Sequence, residues 1–189
     1  MTAMPVTERM TADEFLARPY DPRERGAELI GGVIVVDNPL VKHQLVCSEI
    51  LHELMLWSRA EPTRGLVTLP IDVLIEEHDV YRPDILWYRA ERAPEREAHR
   101  PYAVADLAVE VRSPSTWRYD IGRKKAGYER RGLPELWLVD TAADEVLVYR
   151  RSQPDAPEFD VALELDRGGA LTSPQLPAFT VALDALFGE

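Results

Sequence analysis

The sequence predicts an α/β sandwich, a central mixed β-sheet flanked by α-helices, formed as a single domain over residues 1–189. One reason is the order of its patterned segments, which runs helix, hairpin, helix, strand meander, strand, helix, strand, strand, so that helices and strands interleave. A second is size, because 189 residues that are 46% hydrophobic suffice for one core and fall short of two. A third is a long stretch of helical periodicity, residues 42–59, suited to cover one face of a sheet.

Taken in order, Thr11-Ala-Asp-Glu14 is a capping-box pattern that opens a short helix through Ala17, closed off by Pro19 and Pro22. Ala27–Ile30 and Val33–Val36 flank Gly31-Gly32, a two-residue hairpin signal. Asn38-Pro39 breaks the chain, and from Lys42 to Arg59 the residues Leu45, Val46, Ile50, Leu54, Leu56 and Trp57 recur roughly at helical spacing. Gly65–Ile75 and Val80–Trp87 read as strands joined by the polar tip Glu76–Asp79, and residues 89–100 as an exposed loop or irregular helix. Asp106–Arg112 is an apolar strand, and Asp120–Arg131 a helix capped by Gly132 with Pro134 beyond. Leu136–Asp140 and Val146–Arg150 are two more strands across a Thr-Ala-Ala-Asp turn; Trp57, Trp87 and Trp137 read as core.

Composition narrows the functional classes. A net charge of −11 argues against a protein that coats nucleic acid without specificity, because phosphate binding depends on clustered Lys and Arg. The charge is uneven: residues 112–131 hold seven basic residues against two acids, while the rest nets −16. The bland reading of that island is a solvated helix face. No apolar run approaches the length of a membrane span, and the amino terminus lacks the apolar segment of a signal peptide, so a soluble cytoplasmic protein is expected. Cys47 has no second cysteine to pair with and reads as a buried thiol without chemistry of its own.

The chemistry concentrates around Glu110. A carboxylate inside the apolar run Leu107-Ala-Val-Glu110-Val is costly unless something charged meets it. Strand alternation sets Ala108, Glu110 and Arg112 on one face, and four-residue spacing sets Asp120, Lys124 and Tyr128 on one face of the next helix. Upstream, Arg82-Pro-Asp84 supplies a second acid. Mg²⁺ or Mn²⁺ needs only one or two carboxylates, because it keeps several waters, and Asp84 and Glu110 meet that need. Two acids followed by Lys124 suggest metal-dependent hydrolysis of a phosphodiester. Singly, Asp84 is also a turn residue, Glu110 the partner of Arg112 or of a basic residue on a neighbouring strand, and Lys124 a surface lysine; their joint order favours the site.

Beyond these residues the chain resembles the Uma2 (DUF820) group of restriction-endonuclease-like proteins within the PD-(D/E)XK nuclease superfamily. The resemblance rests on Glu28-Leu-Ile-x-Gly32, His43-Gln44, Arg82-Pro-Asp84, Val109-Glu110-Val-x-Ser-Pro-Ser-Thr116, Asp120-x-x-x-Lys124-x-x-x-Tyr128, Gly132-Leu-Pro-Glu-x-Trp-Leu-Val-Asp140 and Leu171-Thr-Ser-Pro-Gln-Leu-Pro. It implies a restriction-endonuclease-like sandwich, a metal-dependent endonuclease acting on DNA with RNA left open, Mg²⁺ or Mn²⁺ on Asp84 and Glu110, and Lys124 as catalytic lysine moved from the strand to the adjoining helix. Glu28 looks like an additional acid, His43 like a residue that orients water or contacts phosphate, and a homodimer is expected because cutting a duplex usually takes two sites. The sequence departs from the pattern at Arg112, which fills the lysine slot of the Glu-x-Lys motif. Arginine can clamp a phosphate but is not interchangeable with lysine. Arg118, Arg123 and Lys125 are the candidate nucleic-acid contacts. Trp117 and Tyr119 offer either base stacking or packing of their loop.

Two other classes stay open on these residues. One is a catalytically silent nuclease fold that binds nucleic acid or a partner protein, which the acidic remainder and Arg112 keep in view. The other is a paired-carboxylate hydrolase acting on another substrate such as a glycoside, against which Lys124 and the basic island speak.

Overall fold

Local chain chemistry sets where each element starts and stops. In the computed structural model, which describes residues 9–188, Thr11 caps α1 (Ala12–Leu16) with both halves of a capping box. Gly31 and Gly32 take φ of 63° and 77°, the left-handed pair that turns β1 (Glu28–Ile30) into β2 (Val33–Val35). Helix α2 (Val41–Ala60) buries Val46, Ile50, Leu54 and Trp57 along one stripe. Leu45 and Leu56, which share its apolar periodicity in sequence, are exposed.

Proline divides the meander differently from the sequence pattern. Where one strand is expected over residues 65–75, β3 (Leu66–Thr68) and β4 (Val73–Glu76) form on either side of Pro70. Where another is expected over residues 80–87, β5 (Asp79–Tyr81) and β6 (Ile85–Tyr88) form on either side of Pro83. Proline brings no N–H to a ladder, so each strand ends there and its two halves join different sheets. The kink at Arg82-Pro83-Asp84 thus carries the chain from one sheet to the other.

The larger sheet is completed by β7 (Leu107–Val111), β8 (Glu135–Asp140), β9 (Glu145–Arg150) and β10 (Val161–Leu165), in the order β10-β9-β8-β7-β6-β3. It is mixed, because β7 and β8 are parallel and the other neighbours antiparallel. The smaller sheet runs β2-β1-β5-β4, and β11 (Ala170–Leu171) pairs with β12 (Val181–Ala182) before α5 (Leu183–Phe187). The elements after residue 150 carry too little alternation to announce themselves in sequence.

Between β7 and β8 the helical segment starts three residues earlier than its sequence pattern. It comprises α3 (Trp117–Tyr119), a π-helical turn (Asp120–Lys124) and α4 (Lys125–Arg130). The layers follow from strand alternation. Leu107, Val109 and Val111 face α2 and α5, in a core with Trp57, Trp137 and Phe179. Ala108, Leu136 and Leu138 face the opposite way, in a second core with Ile30, Tyr81 and Tyr128. Gly127 makes this second layer possible, since a Cβ there would lie 2.6 Å from the Tyr81 hydroxyl. The expected mixed sheet flanked by helices is present, and Trp57, Trp87 and Trp137 are core. No helix among the described residues is long and apolar enough to cross a membrane.

Candidate active site

Alternation along β7 turns Glu110 toward the second layer, where it is 3% exposed. Burying that carboxylate calls for a cation, and the π-helical turn supplies one. Lys124 Nζ lies 2.7 Å from Glu110 Oε1, 2.9 Å from Glu28 Oε1 and 3.2 Å from Asp120 Oδ1. The Tyr128 hydroxyl, one turn further along, donates to the same Glu110 Oε1 at 2.6 Å. Glu28 Oε1 also accepts the Arg82 N–H at 2.6 Å, which ties β1 to the Pro83 kink.

The electrostatics are those of one ammonium among several acids. Burial works against the Lys124 charge, but Glu110, Glu28 and Asp120 outweigh it and hold its pKa well above the lysine range. Burial drives the Glu110 carboxyl well above the carboxylate range; Lys124 opposes this, while Asp120, Glu28 and Asp84 reinforce it. Burial likewise lifts Asp120 to about 6 against the pull of Lys124. Asp120 Oδ1 meets only the Lys124 ammonium, at 3.2 Å, among the described residues.

Asp84 borders the same cleft, of about 510 Å³, whose walls include Glu28, His43, Glu110 and Lys124. Its Oδ2 accepts the Val111 N–H at 2.8 Å, and its Oδ1 lies 3.3 Å from His43 Nε2. The other ring nitrogen of His43 faces the Arg112 carbonyl at 3.4 Å. The Ser113-Pro-Ser-Thr116 run acts as a brace. Ser113 and Ser115 both donate to Asp37, and the Thr116 hydroxyl donates to Asp120 Oδ2 at 3.2 Å.

Of the candidates named from sequence, Asp84, Glu110, Lys124, Glu28 and His43 come together at one cleft. Asp120 and Tyr128 join them without having been named as site residues from sequence, although their four-residue spacing from Lys124 is the signal that finds them. Arg25, which also borders the cleft and has no ion pair among the described residues, has no sequence signature. Arg112 is placed elsewhere: β7 ends at Val111, and the Arg112 guanidinium turns to both Asp140 oxygens at 2.7 and 2.8 Å, over the Trp117 ring. The cation that meets Glu110 is therefore Lys124. The basic island is also dispersed. Arg123 grips buried Asp79 through two nitrogens, Arg130 pairs with Glu76, Arg118 lies over Tyr119 and Lys125 over Tyr149. Trp117 and Tyr119 pack against the second core.

The residues fit a hard divalent cation. Glu110 Oε2 has no hydrogen-bond partner among the described residues, Asp84 is partly open to the cleft, and both are oxygen donors of the kind Mg²⁺ and Mn²⁺ prefer. Three carboxylates, Glu28, Glu110 and Asp120, share the single ammonium of Lys124, and Asp84 lines the same cleft, a concentration of acids that a dication would offset.

A mixed sheet carrying an acid near the end of its central parallel strand, with a lysine from the following helix, defines a restriction-endonuclease-like α/β protein. The family model Uma2, described as "Putative restriction endonuclease", matches residues 12–184, so this chain belongs to the Uma2 family. A crystal structure described as a "putative nuclease belonging to DUF820" from Anabaena variabilis is similar in fold, with a TM-score of 0.77 and 22% identity over 94% of this chain and 97% of that one. No curated protein matches the chain.

Proposed function

We propose that this chain is a Mg²⁺- or Mn²⁺-dependent endonuclease hydrolysing phosphodiester bonds in DNA, with Asp84 and Glu110 holding the cation and Lys124 as the catalytic lysine. The observation that carries the reading is the Lys124–Glu110 contact beside Asp84 at the edge of an open cleft. When bound, the cation supplies electrophilic activation of the phosphate and acidifies its water. Lys124 stands ready to stabilise the negative charge that develops on the phosphate oxygens, and its position is fixed by Glu28 and Asp120. Tyr128 leaves Glu110 one unclaimed oxygen by occupying the other. His43 and the Val111 N–H hold Asp84, and Arg25 at the cleft wall is suited to a flanking phosphate. Arg118, Arg123 and Lys125 remain candidate contacts to the nucleic-acid backbone outside the cleft walls, Arg123 less so because Asp79 already engages it. A homodimer would bring two such clefts to the two strands of a duplex.

Cleavage of supercoiled DNA in Mg²⁺ or Mn²⁺ tests the reading, with Asp84→Asn, Glu110→Gln and Lys124→Ala beside the wild type. Nicking by wild type that each substitution abolishes supports it. Equal residual nicking in all four proteins would instead identify a silent fold that binds nucleic acid or a partner protein, and preference for an RNA substrate would redirect the substrate assignment.

A further inference from the structure

Cys47 does not stand alone. It lies one turn after His43 on α2, and the ligand atoms of His43, Cys47 and Asp84 all fall within 4.8 Å of one another. Two ligands spaced four apart on one helix face and a third from a neighbouring strand end form a common metal-binding pattern. The His43 Nδ1 faces the Arg112 carbonyl, so a hydrogen on Nδ1 leaves Nε2 as the ligand atom, and Nε2 is the nitrogen turned toward Asp84 Oδ1. A backbone carbonyl on the far nitrogen is the usual second support of a metal-ligating histidine.

The spacing suits zinc. Tetrahedral zinc with bonds of about 2.0–2.3 Å separates its ligands by about 3.3–3.8 Å. The His43–Asp84 separation is already 3.3 Å, and the longest edge, at most 4.8 Å, has to close by at most about 1 Å. Thiolate and imidazole are soft or borderline ligands that Mg²⁺ does not favour.

We infer that His43, Cys47 and Asp84 form a second cation site, selective for Zn²⁺ and similar borderline-soft metals, which overlaps the proposed Mg²⁺ site at Asp84. On binding, the Cys47 thiol releases its proton to solvent and the thiolate ligates. Asp84 Oδ2 accepts the Val111 N–H and Oδ1 faces His43 Nε2, so both cations draw on this one carboxylate and compete for it. Zn²⁺ therefore inhibits. The binding site stands independently of the nuclease reading, whereas the inhibition rests on it.

Co²⁺, used as a spectroscopic probe for zinc, tests the site on the full chain. One equivalent should produce thiolate-to-Co²⁺ charge-transfer absorption, lost in Cys47→Ser and weakened at least about tenfold in affinity in His43→Ala. Matching far-ultraviolet circular dichroism of each variant with wild type shows that the chain is folded. Absence of the band in wild type, or its persistence in Cys47→Ser, overturns the site. In a second arm, zinc should suppress Mg²⁺-dependent cleavage by wild type at least about tenfold more than by Cys47→Ser, each relative to its own zinc-free rate. Equal suppression overturns the competition. If wild type cleaves nothing, the nuclease reading fails and the absorption arm still decides the site.

Discussion

Lys124 Nζ and Glu110 Oε1 are 2.7 Å apart, a helix lysine and a central-strand acid that are both almost wholly buried. Neither is tolerable alone in that position, because an unpaired buried charge costs several kcal/mol. The pair therefore organises the second layer as well as the cleft.

Removing the lysine leaves Glu28, Glu110 and Asp120 facing one another without their shared cation. Lys124→Ala should destabilise the protein by about 3–5 kcal/mol in urea denaturation as well as abolish cleavage. A loss under about 1 kcal/mol would mean that the ammonium is not the cluster's shared partner.

Tyr128→Phe deletes one hydroxyl and keeps the ring that packs edge-on against Tyr81. The expected loss is about 1–3 kcal/mol of stability, from an under-satisfied buried carboxylate. A fall in kcat with KM for DNA unchanged would separate positioning of Glu110 from substrate binding.

Arg112 bonds to Asp140 and not to Glu110, although strand parity aims both residues the same way. Arg112→Ala should therefore leave Mn²⁺ affinity within about twofold of wild type, while costing about 1–3 kcal/mol of stability, because the largely buried Asp140 loses its guanidinium partner. A large fall in metal affinity, read by calorimetry, would place the arginine back in the site.

Asp79 sets a pH dependence. Burial raises its carboxyl pKa, but two bonds from Arg123, the Gly31 N–H and the Tyr81 hydroxyl outweigh burial and hold it below the ordinary 3.8. A folded value below the unfolded one means that ionised Asp79 contributes stability fully present above the unfolded pKa and lost as pH falls through the folded value. Urea midpoints should therefore fall less steeply in Asp79→Asn than in wild type as pH drops below 3.8. Parallel curves would show that Asp79 carries no such linkage.

Much of the fold and site can be read from the chain, for identifiable reasons. The Glu110 strand, the Gly31-Gly32 hairpin and the α1 cap are local patterns whose physics needs no distant partner. Four-residue spacing likewise sets Asp120, Lys124 and Tyr128 on one helix face. The split of the meander between two sheets is harder to see, because Pro70 and Pro83 end ladders without saying where the next half pairs. The turn of Arg112 toward Asp140 depends on β8 lying parallel beside β7, a contact between residues 28 positions apart. Dispersal of the basic island has the same origin: Asp79, Glu76 and Tyr149 are each remote in sequence from the residues they hold. Cys47 reads as an inert thiol until the fold brings Asp84 beside it.

Calorimetric titration of Mn²⁺ into wild type, Asp84→Asn and Glu110→Gln tests the central claim most directly. Wild type should bind Mn²⁺ at a site that weakens at least about tenfold in each variant, since each removes one of the two anionic ligands. Equal binding by all three proteins would contradict that claim.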